Sequence, residues 1–249
     1  MLTGLLRHNT DLKLEKNYVD THGQSELGFA FCHLLGFQLM PRFKRIGVQK
    51  LSLPEAGTKA AYPNLKLILS KAIDWDLVAQ QYDQAIKYAT ALRLGTAEAE
   101  DIFRRFGNAE IQHPTHKALL EIGKAVKTIF LCQYLSSEAL RVEINEGLNV
   151  VERWNGANDF IYFGRGGEFA TNKRENQELS ALALHLLQVS MIYINTLMIQ
   201  NVLSEPQWMQ RMKTEDLRAL CPLIWNHVTP YGWFNLDFTQ RMALDVAWR

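Results

Sequence analysis

Cysteine is scarce in this sequence, and neither sign of charge prevails. Its three cysteines, Cys32, Cys132 and Cys221, stand far apart without a CxxC pair. That gives no zinc signature and no disulfide framework, and it fits buried thiols in a reduced cytoplasm. Lysine and arginine total 27 against 26 acidic residues, a formal charge of +1, so whole-chain electrostatics neither announces nor excludes a nucleic-acid partner. Any DNA contact has to come from local clusters. No uninterrupted apolar run of the signal-peptide kind opens the chain, because Arg7, Asp11, Lys13, Glu15 and Lys16 break it. The most apolar stretch, 179–203, is interrupted by His185, Gln188, Asn195 and Gln200; it reads as a long buried helix and not as a bilayer span. Internal repeats and low-complexity tracts are missing too. What is there is a chain of 249 residues, 47% of them hydrophobic, enough to bury the core of one large domain or of one domain with an insertion.

Residues 12–19 alternate apolar and polar side chains and stop at Asp20-Thr21-His22-Gly23, which predicts a strand ending in an aspartate. Ser25 caps a helix from Glu26 to Leu35, Gly36 closes it, and 37–40 reads as a second strand stopped by Pro41. The unit is β-α-β, and its crossover implies a parallel pair. From Pro54 to Ser137 the period turns helical, with helices at 74–94, 97–106 and 115–134, stops at Gly95 and Gly107, and no strand signal. Helices are further expected at 137–146, 148–160, 175–203 and 214–228, with a Gly-rich loop at 164–167.

An aspartate at the C-terminal end of a strand is a frequent metal ligand, because the strand fixes the carboxylate while the next loop leaves room for ion and substrate. Asp20 fits that description, and it also fits a turn residue or a helix cap. Around 148–160, Asn145, Asn149 and Glu152 share a polar helical face, whereas Val151 and Trp154 point toward a core. By spacing alone, a glutamate so placed is first a solvated surface residue. Arg42, Lys44, Arg45 and Lys50 form a basic run without acidic neighbours, and Arg165, Lys173 and Arg174 flank the Gly-rich loop. Both groups suit phosphate neutralisation, and both also suit plain solvated surface. The loop itself lacks the Lys-Ser/Thr pair of a P-loop.

Read together, the segments carry more. Tyr18-Val19-Asp20-Thr21-His22-Gly23-Gln24-Ser25, then Leu34-Leu35-Gly36-Phe37 and Met40-Pro41-Arg42, resemble the signature around the second catalytic aspartate of the Tn-three family of cointegrate-forming, DDE-type transposases. Gly147-Leu148-Asn149 with Glu152 and Asn155, then Phe163-Gly164 and Gly167-Glu168, resemble the segment around that family's catalytic glutamate. Leu94-Gly95, Arg104-Arg105-Phe106-Gly107, Glu121-Ile122-Gly123-Lys124 and Pro222-Leu223-Ile224-Trp225 match as well, so the resemblance runs over nearly all of the chain.

The resemblance implies a helix-dominated α/β fold, an RNase H-like core with a large helical insertion. Residues 1–53 would be its β-α-β part with Asp20, 54–137 the insertion, and 138–249 the glutamate-bearing helix and C-terminal helices. In that fold three strands and a helix precede the second aspartate. Here its strand starts about a dozen residues after Met1, so the core would be incomplete. The family's first aspartate has no counterpart in this sequence, and the expectation is a C-terminal fragment that is inactive alone. Asp20 and Glu152 are implied as catalytic residues and as ligands of a two-ion Mg²⁺ site, Mg²⁺ being a hard cation that prefers oxygen donors. The implied activity is DNA strand cleavage and 3′-end joining. Its partners would be double-stranded transposon ends and target DNA, with no membrane, in an intact enzyme that is a homodimer. The alternative is a DNA-binding or partner-binding remnant in which both carboxylates survive without function.

Overall fold

The computed structural model describes residues 2–8, 11, 13–20, 23–107, 113–161, 168–229, 232–233 and 235–239. They fall into two compact units, Met1–Leu148 and Asn149–Arg249.

In the first unit, β1 (Lys16–Val19), α2 (Glu26–Leu34) and β2 (Gln38–Pro41) follow a short helix, α1 (Leu2–Leu6), that the sequence periodicity did not mark. β1 and β2 pair in parallel from Lys16↔Gln38 to Val19↔Pro41, as the crossover predicted. The Gly28 N–H donates to Ser25 Oγ at 3.1 Å, which satisfies one of the amides that every helix start leaves open. Phe29, Ala30, Phe31 and Cys32 of α2 are all at most 1% exposed. A helix segment apolar on every side is buried on every side, as Leu27–Cys32 is, with His33 alone in α2 exposed; α2 is covered by β2, α3 (Trp75–Leu94) and α5 (Pro114–Ser136).

A second parallel pair joins β3 (Leu51–Leu53) to β4 (Leu69–Ala72), and β4 corrects the expectation of a strand-free segment between 54 and 137. Neither element lies in a longer alternating run such as 12–19, which marked β1. What makes β3 a strand is packing: Leu51 and Leu53 are buried, and the Ser52 N–H donates to Thr128 Oγ1 of α5 at 3.0 Å. The helices match their periods better. Asp74 caps α3 by accepting from the Leu77 N–H at 2.9 Å, and Gly95 ends it at a φ of 71°, a left-handed conformation that favours glycine. α4 (Ala99–Gly107) follows, then α5 with Pro114 in its first turn.

α6 (Glu138–Ile161) is one helix where two were expected. Gly147 looks like a break, yet a Cβ there would lie 2.7 Å from Tyr18 Cγ, so the glycine serves a close approach inside the helix. Ile144, Leu148 and Ala157 are the buried α6 positions; Val151, expected toward the core, is half exposed. Asn145, Asn149 and Glu152 are exposed as expected.

The second unit contains α7 (Arg174–Leu203), α8 (Pro206–Arg211) and α9 (Thr214–Ala219). The helix expected over 214–228 ends at Ala219, just before Leu220, Cys221 and Pro222; a proline supplies no amide and restricts the residue before it. α7 is not the buried helix its composition suggested: Gln188, Asn195 and Leu197 face inward, while Leu182 and Leu186 are more than 60% exposed. Its inward amides are bonded. Gln188 Nε2 donates to Asn158 Oδ1, and Asn195 Nδ2 donates to the carbonyls of Pro222 and Ile224, each at 2.7 Å. By length and apolarity α7 also meets the criterion for a membrane-crossing helix. Cys32 is buried, which pushes its thiol up to about 12, but Cys132 is exposed and Cys221 half-buried, against the expectation for all three. Cys132 sits on the far side of α5 from Phe130 and Leu131, which hold the core.

The tightest packing is the crossing of α2 and α5. A Cβ at Gly123 would overlap the Glu26 carbonyl oxygen and lie 3.0 Å from the Glu26 Cα, and neither backbone atom can rotate away. Gly→Ala in an open helix stabilises by about 0.5–1 kcal/mol. Gly123→Ala is instead expected to destabilise by about 3 kcal/mol or more, read by urea denaturation. Gly4→Ala, with nothing within 4 Å of the added carbon, is the control and should be neutral or better. Equal stability of Gly123→Ala and the parent would refute the crossing.

Candidate functional site

Parallel strands end at the same edge of a sheet, so the residues that follow β1 and β2 become neighbours. Asp20 follows β1, Arg42 follows β2, and the Arg42 N–H donates to the Val19 carbonyl at 3.0 Å. The next residue, Phe43, turns inward to 6% exposure, its ring centroid 5.4 Å from Tyr134 and 5.8 Å from Phe130. With Phe43 anchored, Arg42, Lys44 and Arg45 stay at the surface. A 3-10 turn, Ile46–Val48, then brings back Gln49, whose Nε2 donates to Gln24 Oε1 at 3.4 Å. The result is an open groove of about 450 Å³ lined by Asp20, Gln24, Arg42, Lys44, Arg45 and Gln49. The structure thus brings Asp20 together with three of the basic residues singled out in the sequence.

Glu152 is exposed on α6. Lys173 is exposed just before α7, its N–H donating to Thr171 Oγ1 at 3.2 Å, and Arg174 is paired with Glu178 at 2.7 Å. Arg165 and the Gly-rich loop lie outside the described residues.

One interaction near the groove was missed by sequence reasoning. Lys16 Nζ and Tyr18 OH both donate to Glu143 Oε1, at 2.5 and 2.6 Å. Strand alternation puts Lys16 and Tyr18 on one face, but nothing in the sequence points to a partner 125 residues away. Burial, and then the bond to Glu143 and its charge, push the Tyr18 phenol up to about 12. The bonds from Lys16 and then Tyr18 hold Glu143 below the usual glutamate range, against a smaller effect of burial. With Gly147 against the Tyr18 ring one turn later, β1 is fastened to the N-terminal half of α6 just before it delivers Asp20.

Asp20 offers the hard oxygen donors that Mg²⁺ prefers. It is one acid among three cations lining the groove, however, and the described residues contain no group of three or more His, Cys, Asp or Glu able to hold a metal ion. A dication is repelled by such surroundings unless further carboxylates join. The described residues therefore do not complete a metal site.

A family model described as Tn3 transposase DDE domain matches residues 1–234. The chain is 31% identical over 245 residues to the transposase for transposon Tn1546 of Enterococcus faecium, covering 98% of this chain and 25% of that protein. The transposase for Tn501 of Pseudomonas aeruginosa is 30% identical over 244 residues, 98% of this chain and 24% of that protein. The transposase for Tn21 of Escherichia coli is 30% identical over 248 residues, 99% and 24% respectively. The chain thus spans about a quarter of the length of these relatives. No solved structure matches it.

Glu143→Gln tests the fastening. The Lys16 and Glu143 side chains are 38% and 37% exposed, so solvent screens the pair and the substitution should cost about 1 kcal/mol or less near neutral pH. A carboxyl whose folded pKa is depressed contributes stability that is present above its unfolded pKa, about 4.3, and lost as pH falls through the folded value. Parent and variant should therefore converge on acidification. A stability difference that persists unchanged in acid, measured by urea denaturation across pH, would remove Glu143 from this role.

Proposed function

We propose, for a chain that belongs to the family of Tn3 transposase DDE domains, that it is the catalytic C-terminal part of a DNA transposase, which cleaves DNA at transposon ends and joins the 3′ ends to a target. The observation that carries this reading is Asp20 beside Arg42, Lys44 and Arg45 in one open groove. Three cations suit a phosphodiester backbone. A carboxylate among them weakens phosphate binding by repulsion, an arrangement that makes sense where chemistry at phosphorus needs an oxygen ligand. Placement at the C-terminal edge of a parallel pair leaves that ligand fixed by the strand and open to substrate.

On this reading β1 and β2 belong to an RNase H-like core, residues 54–137 are its insertion, and Glu152 is the second carboxylate this chain contributes. Lys173, Arg174 and Arg165 are further phosphate contacts. The family uses divalent ions, and two bound Mg²⁺ would supply activation of the attacking oxygen and stabilisation of the leaving one. This chain's own residues hold the phosphates and provide two ligands, so strand transfer by the chain alone is expected to be absent. The whole enzyme is proposed to be a cytoplasmic homodimer on double-stranded DNA. A second reading keeps the groove and drops the chemistry; the three cations around Asp20, which suit phosphate binding without a metal, favour it.

The two readings part in a full-length transposase carrying this segment. Asp20→Asn and Glu152→Gln should each lower strand transfer on the order of 10²-fold or more, while binding of transposon-end DNA stays within about threefold, because phosphate contacts are separate from the chemistry. Undiminished strand transfer in either variant would take that residue out of the site.

A further inference from the structure

The Asp20 groove does not end at Gln49. Val48 and Gln49 also line an adjoining groove of about 320 Å³, whose remaining walls are Glu26, Lys50, Ser52, Ser70, Lys124 and Lys127. Lys124 and Lys127 sit three residues apart on one face of α5. Lys124 holds Glu121 at 2.6 Å and Lys50 donates to the Leu67 carbonyl at 2.9 Å, but an ammonium has three N–H donors, so each keeps others for a ligand. Lys127 has no ion pair among the described residues. Together the two grooves hold six cations against Asp20, Glu26 and the Glu121 paired with Lys124, a formal +3 in a chain whose total is +1. The rest of the chain is therefore net acidic, and the excess of positive charge lies along this line.

We infer that the second groove is a phosphate-backbone site continuous with the first, so that a DNA duplex engaged at Asp20 is also held by Lys124 and Lys127 of α5 with Lys50 beside them. The inference rests on the transposase reading and adds to it a role for the helical insertion. Two adjoining basic grooves suit a polymer of phosphates more than a single anion, since each phosphate neutralised releases its own counterions. The walls are firm: the Ser52 N–H is bonded to Thr128 of α5, and Ser70 Oγ donates to the Leu51 carbonyl at 3.2 Å across the β3–β4 pair.

The test uses the 249-residue chain and a labelled random-sequence duplex, with affinity read by fluorescence anisotropy at rising salt. The paired substitution Lys124→Gln with Lys127→Gln should weaken binding about tenfold and lower the salt slope by about 2. Lys124→Arg with Lys127→Arg should bind like the parent, which separates charge from folding, as should Lys87→Gln on the exposed face of α3. A glutamine pair that keeps the parental affinity and slope while Lys44→Gln with Arg45→Gln loses both would overturn this inference and leave the DNA reading intact. No duplex binding by the parent at low salt would overturn both.

Discussion

The bare Cα of Gly123 against the Glu26 carbonyl sets how closely α5 approaches α2, and both parallel strand pairs are placed through that crossing. α2 is the crossover that makes β1 and β2 parallel. α5 packs on α2 from one side and accepts the β3 amide of Ser52 through Thr128. The aromatic contacts of Phe130 with Phe29 and Phe43 lie in the same layer, at centroid separations of 5.7 and 5.8 Å. A larger residue at 123 would separate helices whose spacing also decides where the basic segment after β2 comes to rest.

That segment shows how a buried side chain arranges charged ones. Phe43 goes into the core, and its neighbours Arg42 and Lys44 remain outside as a consequence. Their charges then converge on Asp20 because parallel strands finish at a common edge. Lys50, Lys124 and Lys127 extend the same positive line onto the helical segment. A chain that is almost neutral overall can in this way present a strongly positive track, and phosphate contact depends on the local field and not on the total.

Much of the fold was legible. Ser25 is a helix cap, Gly95 is a helix stop, and alternation before Asp20 marks a strand, because each of these is decided within a few residues. The misreadings come from contacts outside that range. Gly147 looked like a helix end until Tyr18 occupied the space a side chain would need. β3 and β4 carry no period, and they become strands by packing. The inward face of α7 is set by the carbonyls of Pro222 and Ile224 and by Asn158, which turn two amides inward and leave leucines outside.

By itself the sequence determined the β-α-β unit, most helices, the aspartate at a strand end and the words that place the chain in its family. All are local patterns or ordered strings, readable without knowing what touches what. Only the tertiary structure decided that Asp20 shares a groove with Arg42, Lys44 and Arg45, that a second basic groove adjoins it, and that Glu143 fastens the strand that delivers Asp20. Each of those joins residues from separate elements, some more than a hundred positions apart. Charge and hydrogen-bonding capacity belong to a residue, but the field and the bond belong to the arrangement, which chain packing alone supplies.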